Sequence, residues 1–224
     1  MLTHSRRFAA VAFSALALVA CGAAGGGTSE AEGGAGAETS ADGELGHVKG
    51  NPDAPLTIIE YASPTCPACK YFHDSIQPAI EEKFVATGKV KFIFREYPLN
   101  EIDVAAYAMA RCAPEGKFFD ILDDLYENQE GVRYAAQTGV VKTTLAAIGQ
   151  RHGIADRATF DACLENREIR QKLADVYATS EKWGVGGTPT FIIDGVKRDF
   201  GGEYTTADGF VKQIEAVLAA KGVE

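Results

Sequence analysis

The chain has 224 residues, 46% of them hydrophobic and 24% charged, enough apolar material for one globular core plus an additional segment. A formal net charge of −9 argues against a nucleic-acid binder, which needs a basic face. Beyond the N-terminus there is no uninterrupted apolar stretch long enough for a membrane-spanning helix, so no downstream segment is expected to cross a bilayer.

Arg6 and Arg7 precede an apolar run from Phe8 to Ala20 that only Ser14 interrupts, the profile of an export signal. The run is too short to span roughly 30 Å of hydrocarbon, so cleavage is expected rather than anchoring. Leu18-Val19-Ala20-Cys21 resembles the lipobox of bacterial lipoproteins, which implies a cut before Cys21 and a lipid on its thiol. The alternative is a plain secretory cut nearby, with Cys21 discarded or left free. Residues 22–50 follow, holding ten of the 24 glycines, six alanines and five acids, and are expected to form a disordered tether. Such a segment cannot build a packed dimerisation module, so a monomer is expected.

The domain is expected over 51–223. Leu56–Tyr61 (LTIIEY) reads as a buried strand. A helix is expected from about Cys66 to Phe84, burying Cys69, Phe72, Ile76, Ala79, Ile80 and Lys83 on one face and kinked at Pro78. Val90–Glu96 reads as a second strand. From about Val104 to Trp183 several helices punctuated by proline and glycine form a helical insertion. Thr190–Ile193 returns to strand, and Asp194-Gly195 turns it into Val196–Phe200. An amphipathic helix over Thr206–Ala220 closes the α/β domain.

Cys66-Pro67-Ala68-Cys69 is a CxxC at a strand-to-helix junction. A thiol in the first turn of a helix faces unpaired N–H groups and the positive end of the helix dipole, so Cys66 is expected to be acidic and nucleophilic. Pro67 suits the first helical position, where its missing N–H removes nothing. Cys69, one turn on, is placed to resolve a mixed disulfide at Cys66. The alternative for such a motif is half of a zinc site, but Cys112 and Cys163 stand apart without ligand spacing, and neither a metal nor a cofactor is expected. Glu60 is an acid inside an apolar strand, either half-buried with a raised pKa and able to exchange the Cys69 proton, or solvated at a strand end. His73, seven residues from Cys66 along the helix, is too far to activate it. His47 and His152 are expected on the solvated surface.

The order strand, CPAC helix, strand, helical insertion, then Gly187-Thr188-Pro189 before a strand resembles the DsbA family of bacterial disulfide oxidoreductases. Glu60, Phe72-His73, Pro78 and Arg95-Glu96-Tyr97-Pro98-Leu99 carry the likeness further. The resemblance implies a thioredoxin-like fold, a cis bond before Pro189, pairing of Thr188 with substrate backbone, and a proton-transfer role for Glu60. It also implies a structural disulfide between Cys112 and Cys163, against the alternative of two buried free thiols. Ala68 departs from the family's strong oxidants, which carry histidine there, and leaves oxidising strength open. The function implied is donation of disulfides to reduced exported proteins, with reoxidation by a membrane quinone-linked thiol oxidase. A reductase or isomerase of the same fold is the alternative. A copper-binding module is a third possibility, though no Met or His stands beside Cys66 to complete a site.

Overall fold

The computed structural model describes residues 45–223; Cys21, the signal-like segment and residues 22–44 lie outside them. Among the described residues a five-stranded sheet has the order β1-β3-β2-β4-β5. Its strands are β1 (His47–Lys49), β2 (Leu56–Ala62), β3 (Val90–Glu96), β4 (Thr190–Ile193) and β5 (Val196–Asp199). β2 and β3 run parallel, while β1 on β3, β4 on β2 and β5 on β4 are antiparallel. β2 is central and covered on both sides, which is why its sequence is nearly all apolar. Leu56, Ile58 and Ala62 enter the main core, whereas Ile59 and Tyr61 pack with Ile93 and Ile192 on the other face. Glu60 shares the parity of Ile58 and Ala62, so the pleat directs it into the main core.

The helix expected over 66–84 is divided into α1 (Pro67–Ser75), α2 (Gln77–Ile80) and a π-helical turn over Glu81–Val85. Pro78 has no N–H to continue the ladder. The break falls two residues earlier, at Ile76, whose N–H closes on the Phe72 carbonyl. The wider turn then adds a residue to the repeat, so Phe84 is buried and Lys83 is exposed, contrary to the helical spacing.

The insertion comprises α3 (Glu101–Cys112), α4 (Phe118–Glu127), α5 (Gln129–Gln137), α6 (Val141–Arg151), α7 (Arg157–Glu165) and α8 (Arg167–Lys182). It begins before Val104 because the Asn100 side chain caps α3, accepting from the N–H groups of Ile102 and Asp103. Cys112 on α3 is bonded to Cys163 on α7, with a Cα separation of 5.8 Å. α8 crosses to the second face of the sheet, where Thr179 and Tyr61 share a hydrogen bond of 2.7 Å between their hydroxyls. α9 (Ala207–Ala220), capped by Thr206, buries Phe210, Ile214 and Leu218 in the main core. No described helix is long and apolar enough to cross a membrane.

The folded domain starts before residue 51, which corrects the tether's far end. β1 occupies 47–49, and His47 is no solvated side chain: its Nε2 lies 2.8 Å from the Glu96 carboxylate and its ring stacks on Phe118. Gly46, at φ +109°, makes the entry possible, since a Cβ there would meet the Phe94 carbonyl oxygen at 2.6 Å.

Candidate active site

β2 delivers the chain out of the sheet at Ala62, and residues 63–66 turn it into α1. Cys66 is the N-cap of α1, with extended dihedrals (φ −82°, ψ 119°), and Pro67 follows as the first helical residue. In this position the Cys66 Sγ accepts from the Cys69 N–H at 3.4 Å, the role an oxygen usually plays in a cap. The Thr188–Pro189 bond, entering β4, is cis and brings the Thr188 carbonyl oxygen to 3.3 Å from the same sulfur. Residues 122 apart in sequence thus meet at one atom.

The two thiols are driven in opposite directions. Cys66 is lowered to about 6, chiefly because the Cys69 thiol hydrogen-bonds to its sulfur, with burial opposing. The Thr188 side chain and the N–H groups of Cys69 and Ala68 act in the same lowering direction. Among the described residues the buried Thr188 hydroxyl has no hydrogen-bond partner, so its lowering effect acts from close by rather than through a formed bond, and the Thr188 carbonyl, an acceptor only, favours the protonated form. The donors outnumber it. Cys69, fully buried, is pushed well above its ordinary value by desolvation, by its bond to Cys66 and by the charge of Glu60. Glu60 is 2% exposed, and burial raises it to about 8 against the attraction of Lys49. A stabilised thiolate, a buried protonated thiol and a carboxyl titrating near neutrality are the parts needed to break and re-form a disulfide.

Comparison with known proteins bears on the family and the fold. The family model for thioredoxin matches residues 43–216. A variant of alpha-DsbA1 from Wolbachia pipientis has a TM-score of 0.67 and 25% identity, covering 80% of this chain and 96% of that one. This chain belongs to the DsbA family of thioredoxin-like thiol–disulfide oxidoreductases. A protein-disulfide isomerase from Novosphingobium aromaticivorans is similar as well, with a TM-score of 0.64 and 26% identity over 77% of this chain and 96% of its own. A Rickettsia bellii relative bearing the name protein-disulfide oxidoreductase is 29% identical over 153 residues, 68% of this chain and 58% of that protein. The chain therefore spans little more than half the length of that curated relative.

Around this DsbA-type centre lie residues that sequence inspection did not single out. Asp103 of α3, fully buried, accepts from the Ser63 hydroxyl at 2.7 Å and from the N–H groups of Thr65 at 3.2 Å and Leu99 at 2.8 Å. Gln129 of α5 donates to the carbonyls of Pro64 and Cys66. Tyr107 donates its hydroxyl to the Ala62 carbonyl. An acid in the first turn of α3 and an amide opening α5 are ordinary on helices, so only the fold marks them. Around the Thr188–Pro189 bond a shallow groove of about 350 Å³ is lined by Ala68, Gly186, Gly187, Pro189 and Phe200.

The histidines serve elsewhere. His152 lies 2.8 Å from Asp124, which also holds Arg151, so it is a paired structural side chain rather than a solvated one. His73 stacks against Tyr126 and stands 3.5 Å from Asp123. Among the described residues no group of three or more His, Cys, Asp or Glu side chains is disposed to hold a metal ion.

Proposed function

We propose that this DsbA-family protein donates disulfides to reduced proteins outside the cytoplasm, with Cys66 as the exchanging sulfur and Cys69 as its buried partner. The observation that carries the reading is the opposition of the two thiols, one near 6 and the other held protonated. In the donating direction a substrate thiolate attacks Cys66 of the oxidised pair. The sulfur–sulfur bond breaks, and Cys69 leaves as a thiolate that takes the proton carried by Glu60. A second substrate thiolate then attacks the substrate sulfur of the mixed disulfide, and Cys66 departs as the stabilised thiolate. Two electrons pass from substrate to enzyme, and a good leaving group makes that final step favourable.

In the same reading Thr188 pairs with the substrate backbone while Pro189 and the groove beside it receive the flanking side chains. A membrane quinone-linked thiol oxidase removes the two electrons, and a lipid on Cys21 with the glycine-rich segment keeps the domain near the membrane. The Cys112–Cys163 bridge is a permanent structural staple that takes no part in exchange. Ala68, where a histidine would add a further donor for the thiolate, favours a weaker oxidant and supports a reductase as the second reading.

The decisive measurement is the reduction potential of Cys66–Cys69, by equilibration with glutathione and thiol trapping, with Cys112 and Cys163 followed separately. A value near about −120 mV marks a disulfide donor, and one near about −270 mV overturns that direction in favour of a reductase.

A further inference from the structure

The loop that presents Cys66 is short of its own means of support. Residues 64–67 include Pro64 and Pro67, which have no N–H, and the two remaining N–H groups are committed: Thr65 to Asp103 and Cys66 to the Ser63 carbonyl. The Pro64 carbonyl has no donor among these residues, and the Cys66 carbonyl has only the backbone of α1. Both receive one from a single side chain, the carboxamide of Gln129, at 2.8 Å and 3.0 Å. Gln129 is 3% exposed and is the first residue of α5 in the helical insertion. The Cys66 carbonyl also takes the Lys70 N–H, the first rung of α1, so the Gln129 bond falls where loop becomes helix.

A buried methionine would fill the same space but lacks the two N–H donors that the planar carboxamide holds in one fixed relative direction. Each peptide plane held this way keeps its oxygen, the negative end of the dipole, turned toward α5. If a plane swings, an oxygen approaches the sulfur and the Sγ leaves its place over the Cys69 N–H. We propose that Gln129 is a positioning residue through which the helical insertion sets the stability of the Cys66 thiolate, and with it the oxidising strength of the pair. The inference rests on the redox reading of Cys66–Cys69 but concerns a residue that touches neither sulfur.

The test uses the full chain with two variants of matched size, Gln129→Met and Gln129→Glu. Three quantities are measured: the pH midpoint of Cys66 alkylation, the equilibrium with glutathione, and thermal unfolding in both redox states. Gln129→Met should move the midpoint up by about one pH unit and shift the equilibrium about tenfold toward the protein disulfide, roughly 30 mV. Gln129→Glu should move both further, because an ionised carboxylate would face two carbonyl oxygens and repel the thiolate. Should the variants lose cooperative unfolding, the wild-type side-chain amide protons of Gln129 are followed by NMR across the Cys66 titration. Shifts with the Cys66 midpoint support the role, and their absence overturns it. Folded variants that match the wild-type midpoint and equilibrium within twofold, with only the melting temperature lowered, reduce Gln129 to packing. A wild-type protein that fails to exchange with glutathione at all overturns the redox reading itself, a result readable without either variant.

Discussion

Glu60 is held close to neutrality by its own burial, and the consequence is measurable. Its pKa of about 8 in the folded protein lies above the ordinary 4.5, so folding takes up a proton there. The contribution to stability is complete below pH 4.5 and is lost as pH rises toward 8. In Glu60→Gln that slope should disappear, leaving the variant more stable than wild type at pH 8, as urea unfolding at several pH values will show. In the proposed mechanism the same substitution removes the acid that exchanges a proton with Cys69, and on that proposal the rate of disulfide exchange should fall by about 10²-fold with a flattened pH profile. Sequence alone left Glu60 open between buried and solvated. Strand parity and the second layer over β2 decided it. Gln129 and Asp103 were invisible for a different reason, since their partners in the loop lie 63 and 38 residues away.

α1 begins on a sulfur where most helices begin on an oxygen. Cys66→Ser keeps an acceptor for the Cys69 N–H and Cys66→Ala removes it, so the serine variant should be the more stable by about 1 kcal/mol in chemical denaturation. Equal stabilities would mean that the cap contributes nothing beyond holding the nucleophile. Elements whose signal is local were read closely from sequence: β3 and β4 have the expected bounds, and α9 begins one residue after the expected Thr206, which serves as its cap. The helix after the CPAC motif was read as one element through Phe84 with a kink at Pro78, and the π-helical turn changes which residue it buries. Spacing arguments assume a constant repeat, and a wider turn breaks that assumption without leaving a mark in composition.

Across the molecule the Cys112–Cys163 bridge joins α3 to α7 over 51 residues of chain. Replacing both cysteines with alanine should lower stability by about 2–4 kcal/mol in urea, because the unfolded chain regains the freedom of that loop. The glutathione equilibrium of Cys66–Cys69 should stay within twofold, since Cys112 lies at the far end of α3 from Asp103. A larger change would tie the bridge to the redox centre. The insertion has a second connection to that centre, for Asp103 and Gln129 both project from it onto the loop before Cys66.

By itself the sequence determined what depends on neighbours along the chain: strands from apolar runs, a thiol at a helix start from CPAC, a hairpin from Asp194-Gly195. Composition placed the domain boundary a few residues late, because β1 is three residues of ordinary polarity whose strand character comes from pairing with β3. The tertiary structure alone decided the burial of Glu60, the pairing of His47 with Glu96, the approach of Thr188 to Cys66 and the hold of Gln129 on the loop that carries Cys66. Each of these is a contact between segments far apart in sequence, fixed only when the layers pack and water leaves the space between them.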